Sequence, residues 1–497
     1  MSAAGHLNAK MRVPPESKGE RVTLRRAVRS ASRYAAGLMK PTREALLTWL
    51  AFRDLAWATA QVARLMLRTV DVSAPASSKT TSPRSRRVLL LPRAGLNDDV
   101  FATLAGLDSV EVITLPRRVL KAIAAAFLPS EVDDNNYLSV SPSTRAAMIR
   151  YRAFLMRFWR YLDPHRRIEA VISGNFGYYA ERELATGLEE LNVPFVALHK
   201  ENSWSPAGQA FWGGIYRQRR GPFCGRRILV YSPIERDLQL GAGIVDPDRI
   251  EVVGMPRLDA VHRWRAANVG AIPTPTVLFA SFPTDVSMPV LTPGAPEEGG
   301  NGSQQRLGTI DEEGKTFDLA ELCQSAHRAV LELAVRCPDI KVLVKTKGRA
   351  RDRKALAELF GIRDEAELPG NMRVVHGGSP MSLIVQAAVV GGLHSTLLLE
   401  ALAAGRPVVV PWFAEVLDPV IGRYVFDLGP AVTRASSPKE FTERLKELAL
   451  ARTPVPDVLP PATVKVLREW LGNEDGRAGE RAADAIRRVI ETSHQPS

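Results

Sequence analysis

The sequence predicts an α/β protein built from two successive doubly wound, Rossmann-like domains with a cleft between them. Short strands alternate with helical segments along most of the chain, most of those strands are apolar throughout, and the alternation restarts after a stretch containing Gly and Pro at 264–275. Strands that are apolar on both faces belong to parallel sheets covered by helices on each side. A chain of 497 residues with 45% hydrophobic content also has enough apolar material for more than one core.

Residues 1–20 are polar, contain Pro14-Pro15 and lack periodicity, so disorder is expected there; arginines among small residues follow up to Met39. Thr42 to Val70 reads as one helix, with Trp49 and Trp57 among its apolar residues and Arg43, Arg53, Arg64 and Arg68 spaced through it. It has no uncharged apolar run of about 18 residues, so it is not a membrane span, and it is too late and too charged for a secretory signal. Two readings stand: a helix packed on the body, or an interfacial helix with residues 22–70 on an anionic membrane surface. Residues 71–85, rich in Ser, Pro and Thr, read as a linker, which makes 1–85 an N-terminal extension.

The first α/β domain is expected over 86–268. Its strands are Arg87–Pro92, Val110–Leu115, Glu169–Ser173, Pro194–Leu198, Ile228–Tyr231 and Ile250–Val253; Ser143–Leu162 and Tyr179–Leu191 are helical. The second domain, 269–436, has strands at Thr276–Ser281, Lys341–Lys345, Met372–Val375, Ala388–Gly391 and Pro407–Val410. Its helices are Phe317–Arg336, Ser382–Gln386 and Thr396–Ala404. The long segment 283–316 is either a lid or disordered, since it leaves a strand end yet is rich in Gly and polar residues. Residues 437–497 read as C-terminal helices.

Charge separates along the chain. Residues 1–87 hold 17 Lys and Arg against five Asp and Glu, which accounts for the whole net charge of +12 and leaves 49 of each sign in the body. A balanced body lacks the basic groove of a nucleic-acid enzyme, so no nucleic-acid partner is expected. The three cysteines are far apart without a C-x-x-C, which suits a reducing cytoplasm and excludes a disulfide framework. The eight histidines show no metal-ligand spacing, and neither metal nor cofactor is expected. Nucleophile-elbow and P-loop motifs are absent.

The segment Ala387–Trp412, AAVVGGLHSTLLLEALAAGRPVVVPW, is the most specific. A buried strand ends in Gly391-Gly392, and Leu393-His394 turns into Ser395-Thr396 at a helix start. Ser395 is a natural N-cap, and a helix N-terminus after a Gly turn suits a phosphate. Glu400 lies one turn on, four residues from Thr396 on the same face, where it can approach a ribose diol attached to that phosphate. An ordinary strand–helix–strand unit with a capping serine fits the same pattern. Lys345 and Lys347 alternate around a strand end, where a lysine can neutralise a departing phosphate. In the first domain, Asn175 follows a strand end, and His199 and Glu201 lie in a polar cluster after another; either could deprotonate an acceptor hydroxyl. Asp98, Asp99, Asp133 and Asp134 read as solvated loop carboxylates.

These pieces, in this order, resemble GT-B-type glycosyltransferases, particularly the CDP-glycerol glycerophosphotransferase and capsular polysaccharide transferase group. The resemblance adds Ile250–Asp259, similar to the group's V-x-G-x-P-R-x-D segment with Gly254 and Arg257 at the cleft, and Val342–Gly348 with its lysines. It covers roughly residues 88–450. It implies that Gly392, His394, Ser395, Thr396 and Glu400, with Lys345 and Lys347, hold a nucleotide-activated sugar or polyol donor. It also implies a glycan or glycolipid acceptor and a cytoplasmic enzyme, peripheral on the membrane if the N-terminal helix is interfacial. The group's Asp-Tyr-Ser-Ser helix start is here Leu393-His394-Ser395-Thr396, and the second Glu of many retaining enzymes is absent, with Val408 in its place. A UDP-N-acetylglucosamine 2-epimerase-like enzyme and a non-catalytic GT-B scaffold at the membrane are the alternative readings.

Overall fold

The structure is a computed structural model that describes residues 43–70, 86–93, 97–104, 110–134, 137, 140–165, 167–199, 205–288, 318–348 and 350–493. Glu201 and the 289–316 part of the long segment lie outside these residues.

The region expected to be one helix over 42–70 is broken. α1 (Arg43–Phe52) and α2 (Ala56–Arg64) are separated at Asp54, which takes a left-handed conformation (φ 57°), one that Asp adopts more readily than most residues. The chain then forms a short strand β1 (Arg68–Val70). The N-terminal sheet continues with β2 (Arg86–Leu90), β3 (Val110–Thr114), β4 (Ile168–Ser173), β5 (Phe195–His199), β6 (Arg227–Val230) and β7 (Ile250–Val252). The strand order is β1-β3-β2-β4-β5-β6-β7, and only the β1–β3 pair is antiparallel. Its helices are α3 (Asn97–Leu104), α4 (Arg117–Ala124), α5 (Pro142–Leu162), α6 (Tyr179–Glu190), α7 (Pro206–Ile215), α8 (Pro233–Gly241) and α9 (Leu258–Ala267).

The second sheet contains β8 (Thr276–Ala280), β9 (Lys341–Thr346), β10 (Met372–His376), β11 (Val389–Gly392), β12 (Val408–Pro411) and β13 (Thr433–Ala435). All its pairs are parallel, in the order β10-β9-β8-β11-β12-β13. Between these strands run α10 (Ala320–Arg336), α11 (Ala350–Phe360), α12 (Met381–Ile384) and α13 (Thr396–Ala403). Counted within each domain, the parallel strands run 2-1-3-4-5-6 and 3-2-1-4-5-6, the flavodoxin-like and Rossmann orders. Ligands in such sheets bind outside the strand C-termini where the order reverses. Those switch points fall between β2 and β4, and between β8 and β11.

The helix starts have a local cause. Ser141, Ser205, Ser232 and Ser437 each cap a helix through Oγ and are each followed by Pro at the first helical position. The serine satisfies an end N–H, and proline has none to satisfy. Apolar faces of α1 and α2 pack on α4 and α5, burying Leu47, Leu50, Ala56, Ala60 and Ala63. This is the packed reading of the N-terminal helix; Trp57 is half-buried in it. Trp49, Phe52 and Leu65 are left 46%, 72% and 78% exposed.

At the C-terminus, α14 (Pro438–Ala451) packs on the second sheet, α15 (Pro461–Leu471) on α13 and α8, and α16 (Ala478–Ser493) on α3, α9 and β6 of the first domain. One apolar cluster runs through α9, α13, α15 and α16 and joins the inner faces of both sheets. Asp259 secures the return. Its oxygens accept from Asn473 Nδ2 (2.7 Å) and the N–H groups of Ala478 (3.1 Å) and Gly479 (2.8 Å) at the start of α16. Gly472 allows the close crossing: at φ 57°, a Cβ there would sit 2.1 Å from Tyr231 O. Gly254, expected at the cleft, packs in this same crossing, where a Cβ would meet Gly472 O at 2.4 Å. Among the described residues no helix is long and apolar enough to cross a membrane.

Candidate functional site

The second domain's switch point is built on closely spaced strand ends. The register aligns Lys345 of β9 with Ala280 of β8, and Ala280 with Gly392 of β11. Gly392 has φ 151°, and a Cβ there would lie 2.8 Å from Ala280 Cβ and 2.9 Å from its carbonyl oxygen. Only glycine lets the two strand ends meet this way. His394 then turns the chain with φ 45°. Its ring lies 4.2 Å from that of Phe426, and Nδ1 accepts from the Phe426 N–H at 3.2 Å. An acceptor Nδ1 puts the ring proton on Nε2. Burial, with the Lys347 charge as the smaller cause, pushes the His394 pKa down to about 3, so the ring is neutral at physiological pH.

Ser395 caps α13 as expected, its Oγ accepting from Leu397 N at 3.3 Å, and Thr396 opens the helix half-buried. Glu400, one turn on, is buried with 5% exposure. Burial raises its pKa, the Arg257 charge opposes this, and Asp99 adds to the rise. Of the two lysines, Lys347 is exposed, whereas Lys345 is buried and donates from Nζ to Thr346 O at 2.7 Å. Burial lowers the Lys345 pKa.

The facing wall comes from the first domain and corrects one expectation. Asp99 is not a solvated loop acid: it sits in the first turn of α3 with no exposed surface. It accepts from Tyr231 Oη at 2.7 Å, Arg257 Nη1 at 2.7 Å and the Arg257 N–H at 3.0 Å. Arg257 in turn reaches Glu400, with Nε and Nη2 each 3.5 Å from Oε1. The structure thus brings Arg257 and Glu400 together across the domain boundary. Sequence reasoning missed Asp99 and Tyr231 because their partners lie 132 and 158 residues away, where no local pattern shows them.

The other first-domain candidates are placed differently. Asn175, at the strand end of β4, is buried, and its Oδ1 accepts from Gly177 N at 3.0 Å, shaping the loop. His199 is completely buried, with Nε2 2.9 Å from Glu235 Oε1 and its ring 5.2 Å from that of Phe176. It therefore faces the protein interior in this structure rather than an acceptor. Asp134 Oδ1 accepts from Tyr179 N at 2.8 Å, so it too serves the fold, at the start of α6.

Between the domains an open groove of about 600 Å³ runs past α7, the start of α8 and α15, with Gln209, Ile234, Trp412, Leu417, Arg423 and Trp470 in its walls. Trp412 and Asp427 also border the space beside His394, so the groove adjoins the switch point. Among the described residues no group of three or more His, Cys, Asp or Glu is placed to hold a metal.

No protein-family model matches the chain, and no curated protein matches it in sequence. Among solved structures, the wall teichoic acid polymerase TagF is similar at 10% identity and TM-score 0.47, covering 96% of this chain and 98% of its own. UDP-GlcNAc 2-epimerase from Neisseria meningitidis, bound to UDP-GlcNAc, is similar at 10% identity and TM-score 0.41 (82% and 99%). The glycotransferase of kitacinnamycin is similar at 16% identity and TM-score 0.41 (81% and 98%). The strand orders themselves define the fold: two Rossmann-type domains across a cleft, the arrangement called GT-B.

Proposed function

We propose that this protein is a transferase that moves a sugar or polyol-phosphate from a nucleotide-activated donor to a surface glycan of capsule, teichoic-acid or lipopolysaccharide type. The observation that carries the reading is the Ser395-capped α13 at the β8/β11 switch point, with Glu400 one turn inside it and a lysine-bearing strand end alongside. A helix N-terminus of this kind attracts a diphosphate, and a carboxylate one turn on suits a ribose diol. In this reading Lys345 and Lys347 stabilise the negative charge that grows on the departing phosphate. The neutral His394, with its proton on Nε2, offers a donor without adding charge. The acceptor hydroxyl oxygen bonds to the transferred carbon or phosphorus, the bond to the nucleotide phosphate breaks, and Glu201 takes the hydroxyl proton. The groove beside Trp412 receives the acceptor.

The test is thermal shift and calorimetry of the full chain with UDP, CDP, GDP and the monophosphates. At least one diphosphate is expected to raise the melting temperature. Lys347→Ala is expected to weaken that diphosphate about tenfold and its monophosphate much less, since a charge-assisted contact is worth ~1.5 kcal/mol or more. No shift with any nucleotide would sink the transferase reading and favour a scaffold.

The N-terminal region supplies the proposed membrane contact. The support is 17 cationic residues in 1–87 together with the exposed Trp49 and Phe52 on α1 and Leu65 just after α2. Removing residues 1–85 would also strip helices that cover α4 and α5, so substitution is the cleaner test. Trp49→Glu/Phe52→Glu is expected to cut binding to phosphatidylglycerol vesicles by at least about fivefold at low salt, with nucleotide binding unchanged. Vesicle binding equal to that of the parent protein would count against the contact.

A further inference from the structure

One side chain joins the two switch points. Asp99 belongs to the helix that leaves β2, a strand of the first switch point, and Glu400 belongs to the helix that leaves β11, a strand of the second. Arg257 is fastened to Asp99 by its backbone N–H (3.0 Å) and by Nη1 (2.7 Å), while Tyr231 Oη holds the same carboxylate at 2.7 Å. The other edge of the guanidinium, Nε and Nη2, meets Glu400 Oε1 at 3.5 Å. The short contacts are on the Asp99 side, so the arginine is anchored in its own domain and extended toward the other. Glu400 Oε2 receives no hydrogen bond among the described residues.

We propose that Arg257 is the positioning residue for Glu400: it holds one carboxylate oxygen from the opposite domain, so that the other is presented to the vicinal diol of a ribonucleotide. The identity of the diol rests on the transferase reading above, whereas the coupling rests on the geometry alone. Arg is suited to the task because its planar fork offers separate edges to two carboxylates and stays charged at every accessible pH. Lysine, a single point charge, cannot meet both in this way. The groups that act on Glu400 are Arg257, which favours its ionised form, and Asp99 and Asp98, which oppose it together with burial. Tyr231 acts through Asp99.

The test has a ligand-free arm and a nucleotide arm. In the first, melting temperatures of Arg257→Gln, Glu400→Gln, the double variant and the parent are followed from pH 5 to 9. The folded-state pKa of Glu400 is raised, so the folded protein keeps a proton that the unfolded chain releases, and stability falls as pH rises between the two values. Without Arg257 that interval extends upward, so Arg257→Gln is expected to lose melting temperature over a wider pH range than the double variant does. Asp99 loses its cation in both and cancels in the comparison. Equal slopes for the two would overturn the coupling.

In the second arm, UDP and CDP are titrated against their 2′-deoxy counterparts at pH 7. The parent is expected to prefer the ribonucleotide by about tenfold, the scale of a hydrogen bond to a charged acceptor. Arg257→Gln is expected to lose most of that preference, with Arg257→Lys intermediate. Full preference retained by Arg257→Gln would overturn the positioning role. A parent indifferent to the 2′-hydroxyl, with the ligand-free slopes still different, would overturn the diol and leave the coupling standing.

Discussion

Asp259→Ala is expected to lower the unfolding free energy by about 4.5 kcal/mol, three bonds to a charged acceptor at ~1.5 kcal/mol each. The three donors are Asn473 Nδ2 and the N–H groups of Ala478 and Gly479, all buried against the same carboxylate. Removing it leaves them unsatisfied inside the protein, which costs more than the loss of a surface pair. The consequence is local first: α16 loosens from α3 and α9, and a protease should cut near residues 472–477 sooner than in the parent. It then reaches the site, because Arg257 lies two residues before Asp259 and its anchor Asp99 is on α3. Urea unfolding, limited proteolysis and nucleotide titration measure the three effects. An unfolding midpoint equal to the parent's would mean that the C-terminal helix is held by its apolar face alone.

Glu400→Ala is expected to weaken UDP or CDP binding by about 10- to 100-fold, the range for losing a hydrogen bond to a charged acceptor. Its effect on folding should be small, within about 1 kcal/mol of the parent. The side chain is buried and its pKa is raised by that burial, so the fold already bears the cost of an incompletely compensated carboxylate. Arg257 keeps Asp99 as a partner when Glu400 is gone. A large affinity loss with a nearly unchanged melting temperature is the signature of a ligand-binding carboxylate. A large loss of stability with unchanged affinity would make Glu400 a structural residue instead.

Much of the architecture was legible from local chemistry. The apolar runs expected as strands at Thr276–Ser281 and Pro194–Leu198 are β8 and β5, and every residue of those two strands is buried. Ser395 was legible as a cap for the same reason: an N-cap needs only its own helix. The break at Asp54 was not, because an amphipathic pattern can continue through a single left-handed residue without losing its apolar character. Two acidic side chains carry the same lesson in opposite directions. Asp98 is exposed as the pattern suggested, while its neighbour Asp99 is buried under Arg257 and Tyr231.

Read alone, the chain's residues established the α/β class, the repeated strand–helix alternation and the capped helix beside Glu400, because each depends on residues within one or two turns of each other. The two strand orders, and hence the positions of the switch points, came only with the packed fold. That fold also decided that His199 faces Glu235 inside the first domain, that Phe426 holds His394, and that Arg257 links Asp99 to Glu400. These pairings span from 32 to 158 residues of chain. Their energies come from burial and from charges brought close in a low-dielectric interior, and neither exists until the two sheets and the returning C-terminal helix have packed together.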